Sequence, residues 1–173
     1  WARAVGIACI GVGAKDKRPV TVIDFDTRPL AVRHVDAKGN ATSIPVDHRG
    51  RTSAPVKLGG GKVADAALDV ASYGVHGGTD FGPVLRLALD GLPSGIADER
   101  ADLVFCTDGQ ASCDDDVMKR LLECKKAGLR VFGLCLNGGS ISPAMKAICD
   151  KTINLDQVAG SARDEAAAEV LPG

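Results

Sequence analysis

ADLVFCTDGQ, residues 101–110, is a continuous apolar run that closes on Thr107-Asp108-Gly109. A strand without polar alternation is one covered on both faces, as strands of parallel sheets are. On its C-terminal side, Asp114-Asp115-Asp116 opens a helix that ends with Lys125-Lys126 and Gly128, charges matched to the helix dipole at both ends. Arg130 to Leu136 is a second buried strand, Ser142-Pro143 starts another helix, and Thr152 to Leu155 is a short strand. Ser161 caps a final Ala-rich helix. On the N-terminal side, a helix begins near Asp80 with Pro83 in its first turn and Val84, Leu85, Ala88 and Leu89 facing inward. From Gly77 onward helices and strands alternate, which implies parallel strands joined by crossover helices. The expected fold class is α/β: a doubly wound, mostly parallel sheet with helices on both faces.

The first half is less regular. Trp1, Val5, Ala8 and Val12 recur at helical spacing and predict an amphipathic helix ending near Gly13. Val20 to Phe25 reads as a buried strand, and Leu30 to Val35 alternates as an edge strand or hairpin partner. Residues 36–61 carry Gly39-Asn40, Pro45, Pro55 and Gly59-Gly60-Gly61, and are expected to form a hairpin or loop extension. Val63, Ala67 and Val70 predict a helix broken by Gly74 and Gly77-Gly78.

At 173 residues the chain fits a single domain spanning 1–173 with a substantial core. The net charge of −1 gives no electrostatic case for nucleic acid or an anionic membrane, and 3% aromatic residues leave few stacking platforms. No apolar run is long enough to span a bilayer. The cysteines at 9, 106, 113, 124, 135 and 149 lack zinc spacing, and a chain with a real core has little need of a disulfide framework. A reduced, cytoplasmic protein is expected.

Several enzyme signatures fail on spacing. Gly11-Val12-Gly13 meets Asp16 where a dinucleotide fold needs its third glycine, Gly61-Lys62 continues with Val63 rather than Ser or Thr, and no nucleophile elbow is present. His34, His48 and His76 are scattered without metal spacing. Asp24-Phe25-Asp26-Thr27 is similar to the paired aspartates of haloacid-dehalogenase-type phosphatases, which hold Mg²⁺ and attack phosphorus. In that family the Thr stands two places after the second Asp, where this chain has Arg28, so a turn with capping carboxylates is the better reading. The Gly77-Gly78-Thr79-Asp80 and Thr107-Asp108-Gly109 loops offer more. Thr79 supplies a hydroxyl beside glycines that permit close approach, and Asp108 supplies a carboxylate where open α/β sheets place their ligands. Mg²⁺ takes such hard oxygen ligands, keeps waters and leaves room for a ligand from a partner. Taken singly, Thr79 could be a helix cap and Asp108 a turn residue before Gly109.

With these loops in place, the chain resembles a von Willebrand factor A domain over nearly its whole length: a helix, the strand VTVIDFDT, a hairpin, GGTD, then ADLVFCTDGQ and further helix–strand steps. In style it is similar to bacterial members that act beside MoxR-type AAA+ ATPases. The resemblance implies a Rossmann-like fold and a non-enzymatic protein–protein interaction module. Its Mg²⁺ would sit in a metal-ion-dependent adhesion site and bind a partner's carboxylate. It assigns Thr79 and Asp108 as metal ligands and Asp80 as an auxiliary carboxylate. The family's first ligand loop, Asp-x-Ser-x-Ser, has no match in this sequence, and its first strand is expected to be missing ahead of Trp1. That strand lies between the counterparts of residues 20–25 and 101–107, so the chain alone is expected to aggregate or to recruit a strand.

Overall fold

A computed structural model describes residues 2–49, 51–72, 80–91, 101–107, 113–135 and 143–154. They fall into two units, Trp1–Thr79 and Asp80–Pro172. The first begins with α1 (Ala2–Asp16), which runs one turn beyond the expected stop at Gly13. It ends in a Schellman turn: Lys17 takes φ 54°, and the Arg18 N–H donates back to Gly13 O at 2.8 Å. The face it buries matches the predicted apolar stripe only in part. Val5, Ile10 and Gly13 are buried, whereas Ala8 is exposed. A Cβ on Gly6 would stand 3.3 Å from Val70 Cγ1 and 3.4 Å from Val22 Cγ1, and one on Gly13 would collide with Val20. Glycines, having no side chain, let the helix backbone come down onto its neighbours.

Strands β1 (Val20–Phe25), β2 (Pro29–Val35), β3 (Ala41–Ile44) and β4 (Val56–Lys57) form an antiparallel meander in that order. β2 is therefore the hairpin partner of β1 but not an edge, because β3 pairs with its other side. The stretch 36–61, expected as an extension, supplies β3 and β4 to this sheet. Helix α2 (Val63–Ser72) follows. Ile10, Val35, Ala41, Ala66 and Val70 make the core of this unit, with Ile7, Val20, Val22, Leu58 and Val63 packed against it. The β4 edge is only two residues long, follows Pro55 and carries Lys57, features that discourage further strand addition.

Between β3 and β4 the chain turns at Asp47, whose carboxylate accepts from the backbone N–H groups of Arg49 at 2.8 Å and Arg51 at 3.0 Å. These bonds, with the Arg51 guanidinium, hold the Asp47 carboxyl down at about 2 from its ordinary 3.8. A depressed folded pKa means the turn's stabilisation is present above the ordinary value and disappears as pH falls through the folded one. Asp47→Asn should therefore loosen the turn at neutral pH, and the difference from the native protein should vanish near pH 2. Amide exchange of Arg49 and Arg51 against pH reads this directly; a difference unchanged down to pH 2 would refute it.

In the second unit, α3 (Phe81–Asp90) precedes β5 (Asp102–Thr107), α4 (Asp115–Lys126), β6 (Arg130–Cys135), α5 (Pro143–Ile148) and β7 (Lys151–Asn154). The strands are parallel in the order β5-β6-β7, as expected from the apolar runs, although in β5 only Phe105 and Thr107 are buried and Leu103 and Val104 are half-buried. Right-handed crossovers put both connecting helices on one face of so ordered a sheet. In keeping with this, Lys125 Nζ of α4 donates to Ile148 O of α5 at 2.8 Å and pairs with Asp150 at 2.9 Å. Helix α3 lies beside α4, tied by Arg120 to Asp90 at 2.5 Å. The chain is thus mixed α/β, with a three-stranded parallel sheet, an antiparallel sheet and helices. Among the described residues no helix is long and apolar enough to cross a membrane.

Candidate functional site

Of the three residues singled out from sequence, Thr79 and Asp108 lie outside the described residues. Asp80 stands at the N-cap of α3 with extended backbone (φ −132°, ψ 120°), and its Oδ1 accepts from Gly82 N–H at 2.9 Å. The amide after next is one of the donors a helix start leaves unsatisfied, so this carboxylate stabilises the helix. One of its oxygens is thereby engaged.

Helix α4 starts against the same place. A Cβ on Gly82 would lie 3.0 Å from Asp114 Oδ2 and 3.3 Å from Asp80 Oδ1, so both carboxylates flank this glycine. Asp114 is the N-cap residue of α4 but makes no capping bond with its side chain. It turns instead to Arg86 of α3, whose Nη2 donates to Asp114 Oδ2 at 2.8 Å while Nη1 pairs with Asp116 Oδ2 at 2.8 Å. Those two bonds hold the Arg86 guanidinium more firmly protonated than usual.

Read as sequence, the acidic run 114–116 could be a cation site but is better explained as a dipole partner, and Arg86 gives no signal there, because a contact between residues 28 apart leaves no local signature. The Phe81 and Phe105 rings, 5.3 Å apart, bring the start of α3 against β5 two residues before its end at Thr107, which is itself buried. Three carboxylates and the Arg86 guanidinium meet here. Cys113, beside these groups, has its thiol pKa raised first by burial and then by the charges of Asp114, Asp80 and Asp116. These surroundings disfavour a thiolate, with Arg86 opposing the carboxylates in part.

Among the described residues, no group of three or more His, Cys, Asp or Glu side chains is placed to hold a metal ion. Of the carboxylates at the starts of α3 and α4, Asp114 and Asp116 are paired with Arg86, while Asp80 keeps one oxygen beyond its cap bond, a donor of the kind a hard cation takes.

The Asp24 and Asp26 carboxylates are spent on other partners. Asp24 pairs with the buried Arg33 of β2, which also binds Asp69 of α2 through Nε at 2.6 Å. Burial raises the Asp24 pKa, and Arg33 opposes that rise. Asp26 accepts from Arg28 N–H at 3.1 Å and from the Thr27 hydroxyl at 3.2 Å, the turn with capping carboxylates expected from sequence. A shallow hollow of about 360 Å³ beside α2, lined by Leu58, Leu68, Asp65 and Asp69 among others, likewise has its acids engaged: Asp65 by Lys62 N–H and Asp69 by Arg33. No disulfide joins the six cysteines, and burial pushes the thiols of Cys9 and Cys149 up to about 11, far from nucleophilic use at neutral pH. A comparison with protein-family models finds no match to this chain, and one with curated proteins finds none either.

Proposed function

We propose that this chain is a non-enzymatic protein–protein interaction module of the von Willebrand factor A type. In this reading it belongs to a doubly wound sheet that presents Mg²⁺ to an Asp or Glu of a partner, with Thr79 and Asp108 as ligands and Asp80 as an auxiliary carboxylate. A MoxR-type AAA+ ATPase is the partner class that the sequence resemblance implies. The observation that carries the reading is the meeting of Asp80 and Asp114 around Gly82, with the adjacent Phe81 packed against β5 near its C-terminal end. Asp108 follows β5 directly in sequence, and Thr79 directly precedes Asp80. Open α/β sheets gather their ligands at the C-terminal ends of strands. Bound there, Mg²⁺ would supply a coordination position for the incoming carboxylate.

Magnesium titration tests this. Because the sequence offers no Asp-x-Ser-x-Ser loop, water must fill several positions and binding should be weak. Thr79→Ala and Asp108→Ala should each lower it further, by about tenfold. Tight stoichiometric binding that survives both substitutions would rule the site out.

A further inference from the structure

We propose that the turn built on Asp47 is a docking point for an acidic segment of a partner protein. The turn is ordered by polar contacts. Besides accepting the two backbone bonds described above, the Asp47 carboxylate binds Arg51 through Nε and Nη2, both at 2.8 Å. The Asp47 N–H donates to Arg51 O at 2.9 Å, Arg28 Nη1 donates to Asp47 O at 3.0 Å, and Val46 and Thr52 form a bridge beneath. One carboxylate thus fixes the backbone, and its charge is answered by Arg51.

Arg28 is half-buried and held by that bond to Asp47 O, so the cation the turn presents without such a bond is Arg49. Arg49 is exposed, with no ion-pair partner among the described residues. The excess extends beyond the turn: between 36 and 62 the chain carries Lys38, Arg49, Arg51, Lys57 and Lys62 against only Asp36 and Asp47. Guanidinium groups on an ordered turn can take carboxylates in paired hydrogen bonds, and a backbone already fixed loses little entropy on binding. Chemistry selects the partner class. Residues 40–57 contain no Phe, Tyr or Trp, so the His48 ring is the one platform there on which a base could stack, and the turn offers His48, Arg49 and Arg51 rather than an apolar wedge for a bilayer.

The proposal needs no metal, so its test is run in EDTA and its outcome is separate from that of the magnesium site. A fluorescein-labelled octaglutamate peptide is titrated with the full chain at low ionic strength and followed by anisotropy. Arg49→Glu should weaken binding about fivefold or more, since the side chain makes no ion pair among the described residues and its reversal replaces attraction by repulsion. The loss should shrink as salt is added. The double variant Lys15→Ala/Lys126→Ala removes the same amount of charge from other exposed positions and should change affinity less than twofold. Circular dichroism verifies that each variant is folded. An equal loss in the Lys double variant, or no binding of the peptide, overturns the proposal. Tighter binding of duplex DNA or phosphatidylserine vesicles with the same Arg49 dependence overturns the partner class.

Discussion

Arg33→Met should lower the unfolding free energy by about 3 kcal/mol at neutral pH, at the lower end of what removing one partner of a buried ion pair costs. Arg33 is 1% exposed and serves two carboxylates, Asp24 of β1 and Asp69 of α2. The Asp69 side chain is 38% exposed and can turn to water; Asp24, at 16%, has less recourse. The penalty is therefore mainly that of Asp24 left charged without a counterion. Its sign with pH follows. The folded pKa of Asp24 is already raised by burial and should rise further without Arg33. A raised folded pKa contributes stability below the unfolded value, and that contribution is lost as pH rises through the folded one. The variant's deficit should thus be largest at neutral pH and smaller near pH 4, where Asp24 takes up a proton. Arg33→Lys retains charge but not the fork that reaches both acids, and should fall between. Urea unfolding at the two pH values checks all three statements. A deficit that grows toward acid would show that Asp24 is not the group left exposed to the loss.

Leu121→Ala in α4 should destabilise the protein by about 3 kcal/mol, whereas Leu122→Ala beside it should change stability by no more than about 0.5 kcal/mol. The two positions differ in one respect that matters. Leu121 is fully buried and Leu122 is 44% exposed. Truncating the first removes buried methyl groups and leaves a cavity the close-packed interior only partly fills. Truncating the second removes atoms that already touch water. Denaturant midpoints at unchanged m-value separate the outcomes. Equal effects at both positions would mean that α4 does not bury the face described.

The second unit was the more legible because its signals are local. The uninterrupted run at 102–107 requires cover on both faces, and Asp114–Asp116 with Lys125, Lys126 and Gly128 mark the ends of α4 within one or two residues. Asp80 as a helix start was equally plain, since a carboxylate two residues before a free amide is a short-range fact. What the chain's first half does was harder to read. Period-two alternation puts Ala31, Arg33 and Val35 on one face of β2, but nothing in LAVRHV says that this face is buried. Arg33 is tolerated there only because Asp24 and Asp69 converge on it from 9 and 36 residues away.

Helix α1 carries the same lesson. Hydrophobic spacing chose Trp1, Val5, Ala8 and Val12; packing kept Val5 but put Gly6, Ile10 and Gly13 beside it in place of Ala8, because close approach of backbones rewards the absence of a side chain. The sequence by itself determined the parallel strands of the second unit, the ends of α4 and the capping start of α3, all set by periodicity and capping within a few positions. Only the tertiary structure decided which charges share one buried arginine, that Asp114 meets Asp80 around Gly82, and which face of α1 is inside. Those depend on groups that come together after the chain has folded, and no local spacing encodes them.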